Sequence, residues 1–375
     1  MESVEVMSDR IVNHDFWRGK KVLLTGHTGF KGSWLGLWLS ELGAQVTGIG
    51  LAPNTKPNLF SQLELKERLV ANHIADIRDI EALTTVVEAC QPEVVLHLAA
   101  QPLVRQSYTD PLGTWSTNVQ GSLNVLEALR PLRKRCAVVM VTTDKVYANR
   151  EWDYGYRESD RLGGDDPYSA SKAAAELAIA SWSKSFCGMK RHQSPYLAIA
   201  TARAGNVIGG GDWASDRIVP DAIRALAAGQ TIEVRNPRAT RPWQHVLEPL
   251  SGYLMLAEKL TNETGQSNCY ADAFNFGPSL ESNCTVQQLI EEIIVHWGGK
   301  WQNLSDKNAL HEAGRLHLQI DKAHHQLGWQ PRWCFKTTVE RTVTWYKAVE
   351  KGGIALNNCI EDITAYTDQE NISKS

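Results

Sequence analysis

Lys20-Lys21-Val22-Leu23-Leu24-Thr25-Gly26-His27-Thr28-Gly29-Phe30-Lys31-Gly32 decides the fold. Lys20 to Thr25 reads as a short buried strand of a parallel sheet, and Leu35, Trp38, Leu39 and Leu42 then recur at helical spacing until Gly43 stops the helix. Between strand and helix the glycines fall as Gly-x-x-Gly-x-x-Gly. That spacing permits a tight turn and lets a pyrophosphate approach the backbone, where it meets the free N–H groups and positive end of the helix. Gly26, Thr28, Gly29, Phe30, Lys31 and Gly32 are therefore expected to hold a dinucleotide.

Outward from this loop, apolar runs at Ala44–Ile49, Leu69–Ile77, Glu93–Ala100, Cys136–Thr143 and Tyr196–Ala202 are separated mostly by helical patterns, notably Ile80–Cys90, Gly113–Leu132 and Ser169–Phe186. Strands alternating with helices predict an α/β protein with a doubly wound parallel sheet, its ligands beyond the carboxyl ends of the strands. Asp76 and Ile77, after the third strand, are expected near an adenine, and Ala99 and Ala100, after the fourth, along the cofactor. The rhythm breaks after Gly205. A helix at Ile218–Ala228, a strand at Thr231–Arg235, a helix at Leu247–Leu260, a strand at Ala273–Phe276 that returns to the first sheet, and a capped helix from Thr285 to about Trp297 follow. The expected organisation is a Rossmann-type domain over 16–205 with returns at 239–278, a smaller mixed α/β substrate lobe over 206–238 and 279–350, and a loose tail over 351–375.

A formal charge of −3 gives no reason to expect a nucleic-acid partner, and 375 residues with 43% hydrophobic content suit a globular protein without a membrane segment. Met1 to Asp15 carries no continuous apolar run, so a cytoplasmic location is expected. Seven cysteines without a Cys-x-x-Cys pair or clustered histidines predict reduced, mostly buried thiols and no metal.

Of the ten tyrosines only Tyr168 is followed four places on by lysine, in Tyr168-Ser169-Ala170-Ser171-Lys172, and Thr143-Asp144-Lys145 lies upstream at the end of an apolar strand. On a helix Lys172 shares a face with Tyr168 and is expected to pull the phenol down from its ordinary value of about 10. A phenolate there takes the proton of an alcohol while hydride leaves the same carbon.

Together these residues resemble the extended, nucleotide-sugar-modifying form of the short-chain dehydrogenase/reductase superfamily, over Phe16 to about Trp345. Longer strings narrow the likeness: His97-Leu98-Ala99-Ala100-Gln101-Pro102-Leu103-Val104-Arg105, Arg203-Ala204-Gly205-Asn206-Val207-Ile208-Gly209-Gly210-Gly211-Asp212-Trp213, and Arg241-Pro242-Trp243-Gln244-His245-Val246-Leu247-Glu248-Pro249-Leu250-Ser251-Gly252-Tyr253. They are similar to the nucleotide-sugar 4,6-dehydratases that act on CDP-glucose. The resemblance implies conversion of CDP-D-glucose into CDP-4-dehydro-6-deoxy-D-glucose and water, with NAD as a recycled cofactor, in deoxysugar biosynthesis of the lipopolysaccharide type. Gly48 to Leu51 offers neither a carboxylate for a ribose hydroxyl nor an arginine for a 2′-phosphate, so the resemblance alone decides for NAD.

The same resemblance makes Tyr168 the base for the sugar 4-hydroxyl and Lys172 its partner and a ligand of the nicotinamide ribose. Thr143 then binds that hydroxyl, and Asn118 supports the proton relay or bends its helix. Asp144 becomes the acid for the C6 hydroxyl. Lys145 stands where dTDP-glucose dehydratases carry glutamate, and is either the C5 base or a stabiliser of the enolate while another group takes the proton. Arg241 is implied at the diphosphate, with Asn206, Arg217, Arg235 and Asn236 as further contacts. Relatives pair through a four-helix contact, which implies a homodimer or homotetramer built on Gly113–Leu132 and Ser169–Phe186. Two alternatives stay open: another dehydratase or epimerase of the extended family, and a non-catalytic NAD-binding regulator.

Overall fold

The computed structural model describes residues 11–188, 190, 193–262, 268–305 and 315–368. Its centre is a seven-stranded sheet of β1 (Lys21–Thr25), β2 (Gln45–Gly50), β3 (Ala71–Ile74), β4 (Val94–His97), β5 (Cys136–Val141), β6 (Leu197–Ala204) and β7 (Ala273–Phe276). All neighbours pair in parallel, in the order β7-β6-β5-β4-β1-β2-β3. The chain thus winds one way from β1 and the other way from β4, and the crevice between those two strands is where such a sheet takes a ligand.

Alternation along the strands splits two cores. Val22, Leu24, Val94, Leu96 and Val139 face one layer of helices, and Leu23, Val95, Val138 and Met140 the other. Every residue of β5 is buried, as expected of a strand covered on both faces.

The covering helices are α1 (Phe30–Glu41), α2 (Ile80–Cys90), α3 (Pro111–Trp115), α4 (Gly121–Leu129) and α5 (Pro167–Phe186). Asp79 caps α2, and Asp166 caps α5 by accepting from Ser169 N, with Pro167 in the first turn. The single helix expected over Gly113–Leu132 is instead α3 and α4 joined by a π turn at Ser116–Gln120. The extra residue in that turn carries Asn118, whose side chain bonds outside its own helix.

Beyond β6 come α6 (Ile218–Ala227), α7 (Leu247–Asn262), α8 (Val286–Trp297) and α9 (Phe335–Glu350), with two-stranded pairings of Ile232–Val234 with Trp301–Asn303 and of Thr240–Pro242 with Asn283–Thr285. Thr285 and Gln288 form the expected capping box.

Residues 351–375 are not a loose tail in their described part. Ala355–Thr367 forms a helix, α10, with Ala355, Cys359, Asp362, Ile363 and Tyr366 buried. Their spacing follows one helical face, but a cysteine and an aspartate within it mask the apolar period. The Tyr366 ring meets Trp333 at 5.2 Å and Trp38 at 5.9 Å, and its hydroxyl donates to Glu248 Oε2 at 2.7 Å. Residues 369–375 lie outside the described residues.

All seven cysteines are unbridged, but only Cys136 and Cys359 are fully buried, and Cys269 and Cys334 are exposed. Among the described residues no helix is long and apolar enough to cross a membrane.

Candidate active site

The glycine-rich loop leaves β1 and enters α1 with little room for side chains. Gly26 has φ +74°, and a Cβ there would lie 2.7 Å from Ala99 N; one at Gly32 would lie 2.0 Å from Gly26 O. Both glycines are therefore obligatory for close packing of loop, helix and the strand ends. Gly29 is the N-cap of α1 and makes no side-chain cap, so the first-turn N–H groups of α1 face a ligand unshielded by a cap. Thr28 Oγ1 donates to Leu51 O at 2.7 Å and ties the loop to the end of β2. Thr25 Oγ1 accepts from Leu98 N and Ala99 N at 3.1 Å each, which fixes Ala99 and Ala100 beside Gly26. These features fit a dinucleotide pyrophosphate. Asp76 lies further along the edge, clasped by Arg78 (Nη2 to Oδ2, 2.6 Å), and the Ile77 side chain is buried under Gly121.

The strand end after β5 makes a short turn over Asp144–Val146, capped by Thr143, whose hydroxyl also donates to Asp144 Oδ1 at 3.0 Å. Asp144 is 3% exposed. Burial pushes its carboxyl above the usual range, against the pull of Lys145, the Thr143 hydrogen bond, Arg241 and Lys31. Gly205 admits it: a Cβ there would sit 2.7 Å from Asp144 Oδ2.

Tyr168 and Lys172 stand one turn apart on α5, as their spacing requires, and both are buried. Burial raises the phenol to about 12, opposed by a hydrogen bond with Thr143 and by the charge of Arg217. The expected lowering by Lys172 is therefore overturned. The reason is that desolvation of the phenol outweighs its cationic neighbours, and Lys172 is itself desolvated, pulled down to about 8, with Nζ donating to Val141 O at 3.4 Å.

Lys31, expected only at the cofactor, is drawn down to about 8 by burial and by Arg217 and Lys172, with Asp144 opposing. One electrostatic cluster thus joins Lys31, Asp144, Lys145, Tyr168, Lys172, Arg217 and Arg241. Arg217 Nη1 is held by Asp212 Oδ2 at 2.8 Å, and Arg241 Nη1 donates to Thr240 O at 2.9 Å. Asn206 sits two residues past the end of β6, its carbonyl accepting from Gln244 N at 3.4 Å. Arg235 and Asn236 lie on an exposed loop after Ile232–Val234, where Arg235 Nη1 is 3.8 Å from Oδ1 of Asp216, the residue before Arg217. Asn118 is buried in the π turn, donates to Ser171 Oγ at 2.9 Å and accepts from Gln101 N at 2.9 Å, tying the loop after β4 to α5. Sequence reasoning missed Glu176, Arg203 and Asp212; the one available signal was that Glu176 follows Lys172 by a further helical turn.

The sequence model of the family described as GDP-mannose 4,6 dehydratase matches residues 23–342. A CDP-glucose 4,6-dehydratase of Salmonella typhimurium is 47% identical over 91% of this chain and 94% of its own length. A dTDP-glucose 4,6-dehydratase of Escherichia coli is 25% identical over 87% of this chain and 92% of its own. Among solved structures, the Bacillus anthracis dTDP-glucose 4,6-dehydratase in complex with NAD superposes with a TM-score of 0.72 at 20% identity, covering 90% of this chain and 99% of that one. The Thermotoga maritima UDP-glucose 4-epimerase with UDP-glucose has the same TM-score at 21% identity, covering 88% and 99%. Those two structures share the fold, and the matches in sequence carry the kinship further: the chain belongs to the GDP-mannose 4,6-dehydratase family of extended short-chain dehydrogenases/reductases.

Proposed function

We propose that this chain is an NAD-dependent CDP-glucose 4,6-dehydratase that works in the cytoplasm, in deoxysugar biosynthesis. The observation that carries the reading is near-half identity to the Salmonella enzyme along almost its whole length. The buried carboxyl of Asp144 beside Tyr168 supports it, because a plain reductase has no use for an acid there.

NAD bound on the Gly26–Gly32 loop supplies hydride acceptance at C4 of the sugar and hydride return at C6. Tyr168 takes the proton of the C4 hydroxyl, with the charge of Arg217 favouring its anion. The C4 ketone so formed acidifies the neighbouring C5–H. Asp144, whose burial favours the protonated form, gives its proton to the departing C6 oxygen. Lys145, next along the turn, serves C5 either by taking its proton or by stabilising the enolate. Arg241 and Arg217 meet the diphosphate, the guanidinium fork suiting phosphate oxygens. In this reading residues 206–238 and 279–350 make the lobe that takes the nucleotide.

The finer reading of assembly is a homodimer or homotetramer. Its support is the apolar surface of α3 and α5, with Leu112 81% exposed and Leu177 61% exposed.

Incubating purified protein with CDP-, dTDP-, GDP- and UDP-glucose and following a 4-ketosugar tests the function. CDP-glucose should be converted fastest; preference for another nucleotide reassigns the substrate, and an epimer without a ketosugar reassigns the reaction.

A further inference from the structure

One turn beyond Lys172 on α5 lies a buried ion pair, Glu176 with Arg203, with no part in the scheme above. Tyr168, Lys172 and Glu176 are spaced i, i+4 and i+8, so they share one helical face. Each meets the end of β5 at a different residue. The Tyr168 phenol lies close enough to Thr143 to feel its hydroxyl, Lys172 Nζ donates to Val141 O at 3.4 Å, and Thr142 Oγ1 donates to Glu176 Oε1 at 2.5 Å. The helix and the strand end are thus held together residue by residue.

Glu176 is in turn gripped from β6. Arg203 donates Nε to Oε1 at 3.0 Å and Nη2 to Oε2 at 2.8 Å, and Thr201 Oγ1 donates to Oε2 at 2.8 Å. Both members of the ion pair are 4% exposed. Arg203 Nη1 also donates to Tyr147 Oη at 2.8 Å, and that hydroxyl donates to Asn275 Oδ1 on β7 at 2.7 Å. The end of β5 and the strand β6 therefore both bond the carboxylate carried by α5, and Arg203 links it onward through Tyr147 to β7. Burying two charges is costly, and an apolar pair of equal volume is often as stable or more so, so stability alone is a weak reason for the pair.

We propose that Glu176, locked by Arg203, is a positioning residue for the oxidation at C4. It sets the Thr142-Thr143-Asp144 turn in register with Tyr168 and presents the negative end of a buried ion pair to the Lys172 ammonium. The groups facing Lys172 are Tyr168 and Glu176 on its own helix, His97 from β4 and Lys31 from α1. His97 is held at about 3 by burial and by Lys172, so it is neutral at working pH, and Lys31 repels. Glu176 is the group whose charge opposes the desolvation of Lys172.

This inference rests on the proposed dehydratase reading, but its first test needs neither sugar nor cofactor. NMR titration of lysine-labelled protein follows Lys172 in the parent, in Glu176→Gln and in Glu176→Asp. Lys172 should lose its proton about one pH unit lower in Glu176→Gln and near the parent's pH in Glu176→Asp. Single-turnover oxidation of the sugar should then be roughly 10–10²-fold slower in Glu176→Gln, as expected of misplaced reacting groups, with the alkaline limb of its pH profile moved down. Thr142→Val, which removes the strand's grip and leaves the ion pair, should slow the step without moving that limb. An unmoved Lys172 titration in folded Glu176→Gln overturns the electrostatic half. A Thr142→Val rate within about twofold of the parent overturns the positioning half, and it decides alone if Glu176→Gln does not fold. Should the parent leave CDP-glucose untouched, the functional reading fails while the titration still judges the ion pair.

Discussion

Burial holds the Tyr168 phenol at about 12, so proton transfer to it depends on the partners fixed around it: Thr143, Arg217 and, across the helical turn, Lys172. Tyr168→Phe keeps the volume and removes the exchangeable proton. It should fold and bind NAD as the parent does while turnover falls by about 10²–10⁴, the usual cost of a lost general base; near-parental turnover in a clean preparation would dismiss the role. Lys145→Met touches none of Tyr168, Thr143 or Lys172. It should leave oxidation at C4 running and stall the elimination, seen as reduced nicotinamide absorbance that accumulates in a single turnover. A variant that fails to oxidise the sugar at all would place Lys145 in binding. The Tyr168 and Lys172 pairing was legible because helical spacing is written in the sequence. The direction of the phenol's shift was not, because it depends on how deeply α5 is covered, which no local pattern records.

Among the elements, α10 shows a different limit of legibility. The Gly26–Gly32 turn and strands such as Cys136–Val141 stand out since glycine spacing and unbroken apolar runs have few other readings. In α10 the buried face includes Cys359 and Asp362, and its anchor is a contact with a residue over a hundred positions away, Tyr366 to Glu248. The π turn at Asn118 was hidden for the same reason, since its partners Gln101 and Ser171 are distant in sequence. Glu248 yields a stability prediction. Burial raises its carboxyl to about 7, against hydrogen bonds from Trp333 N, Tyr366 and Arg332 N. A carboxyl raised above its unfolded value stabilises the fold fully below about 4.5, and that contribution is lost as pH rises through about 7. The Tm of the parent should therefore fall relative to that of Glu248→Gln between those two pH values; parallel curves would show that folding does not raise the Glu248 carboxyl.

At the scale of the whole molecule, the exposed apolar side chains Leu112 on α3 and Leu177 on α5 predict self-association. Leu112→Asp combined with Leu177→Asp should shift sedimentation from a dimer or tetramer to a monomer; an unchanged assembly would move the interface elsewhere. The central claim concerns one atom of the substrate. If oxidation at C4, elimination across C5 and C6 and reduction at C6 occur in one closed site, the hydrogen lost from C4 must reappear on C6 of the same sugar. The decisive measurement is the NMR or mass spectrum of the product from CDP-glucose deuterated at C4. The account predicts CDP-4-dehydro-6-deoxyglucose with deuterium on its methyl group. A ketosugar without deuterium at C6, or recovery of a 4-epimer in place of the ketosugar, would contradict it.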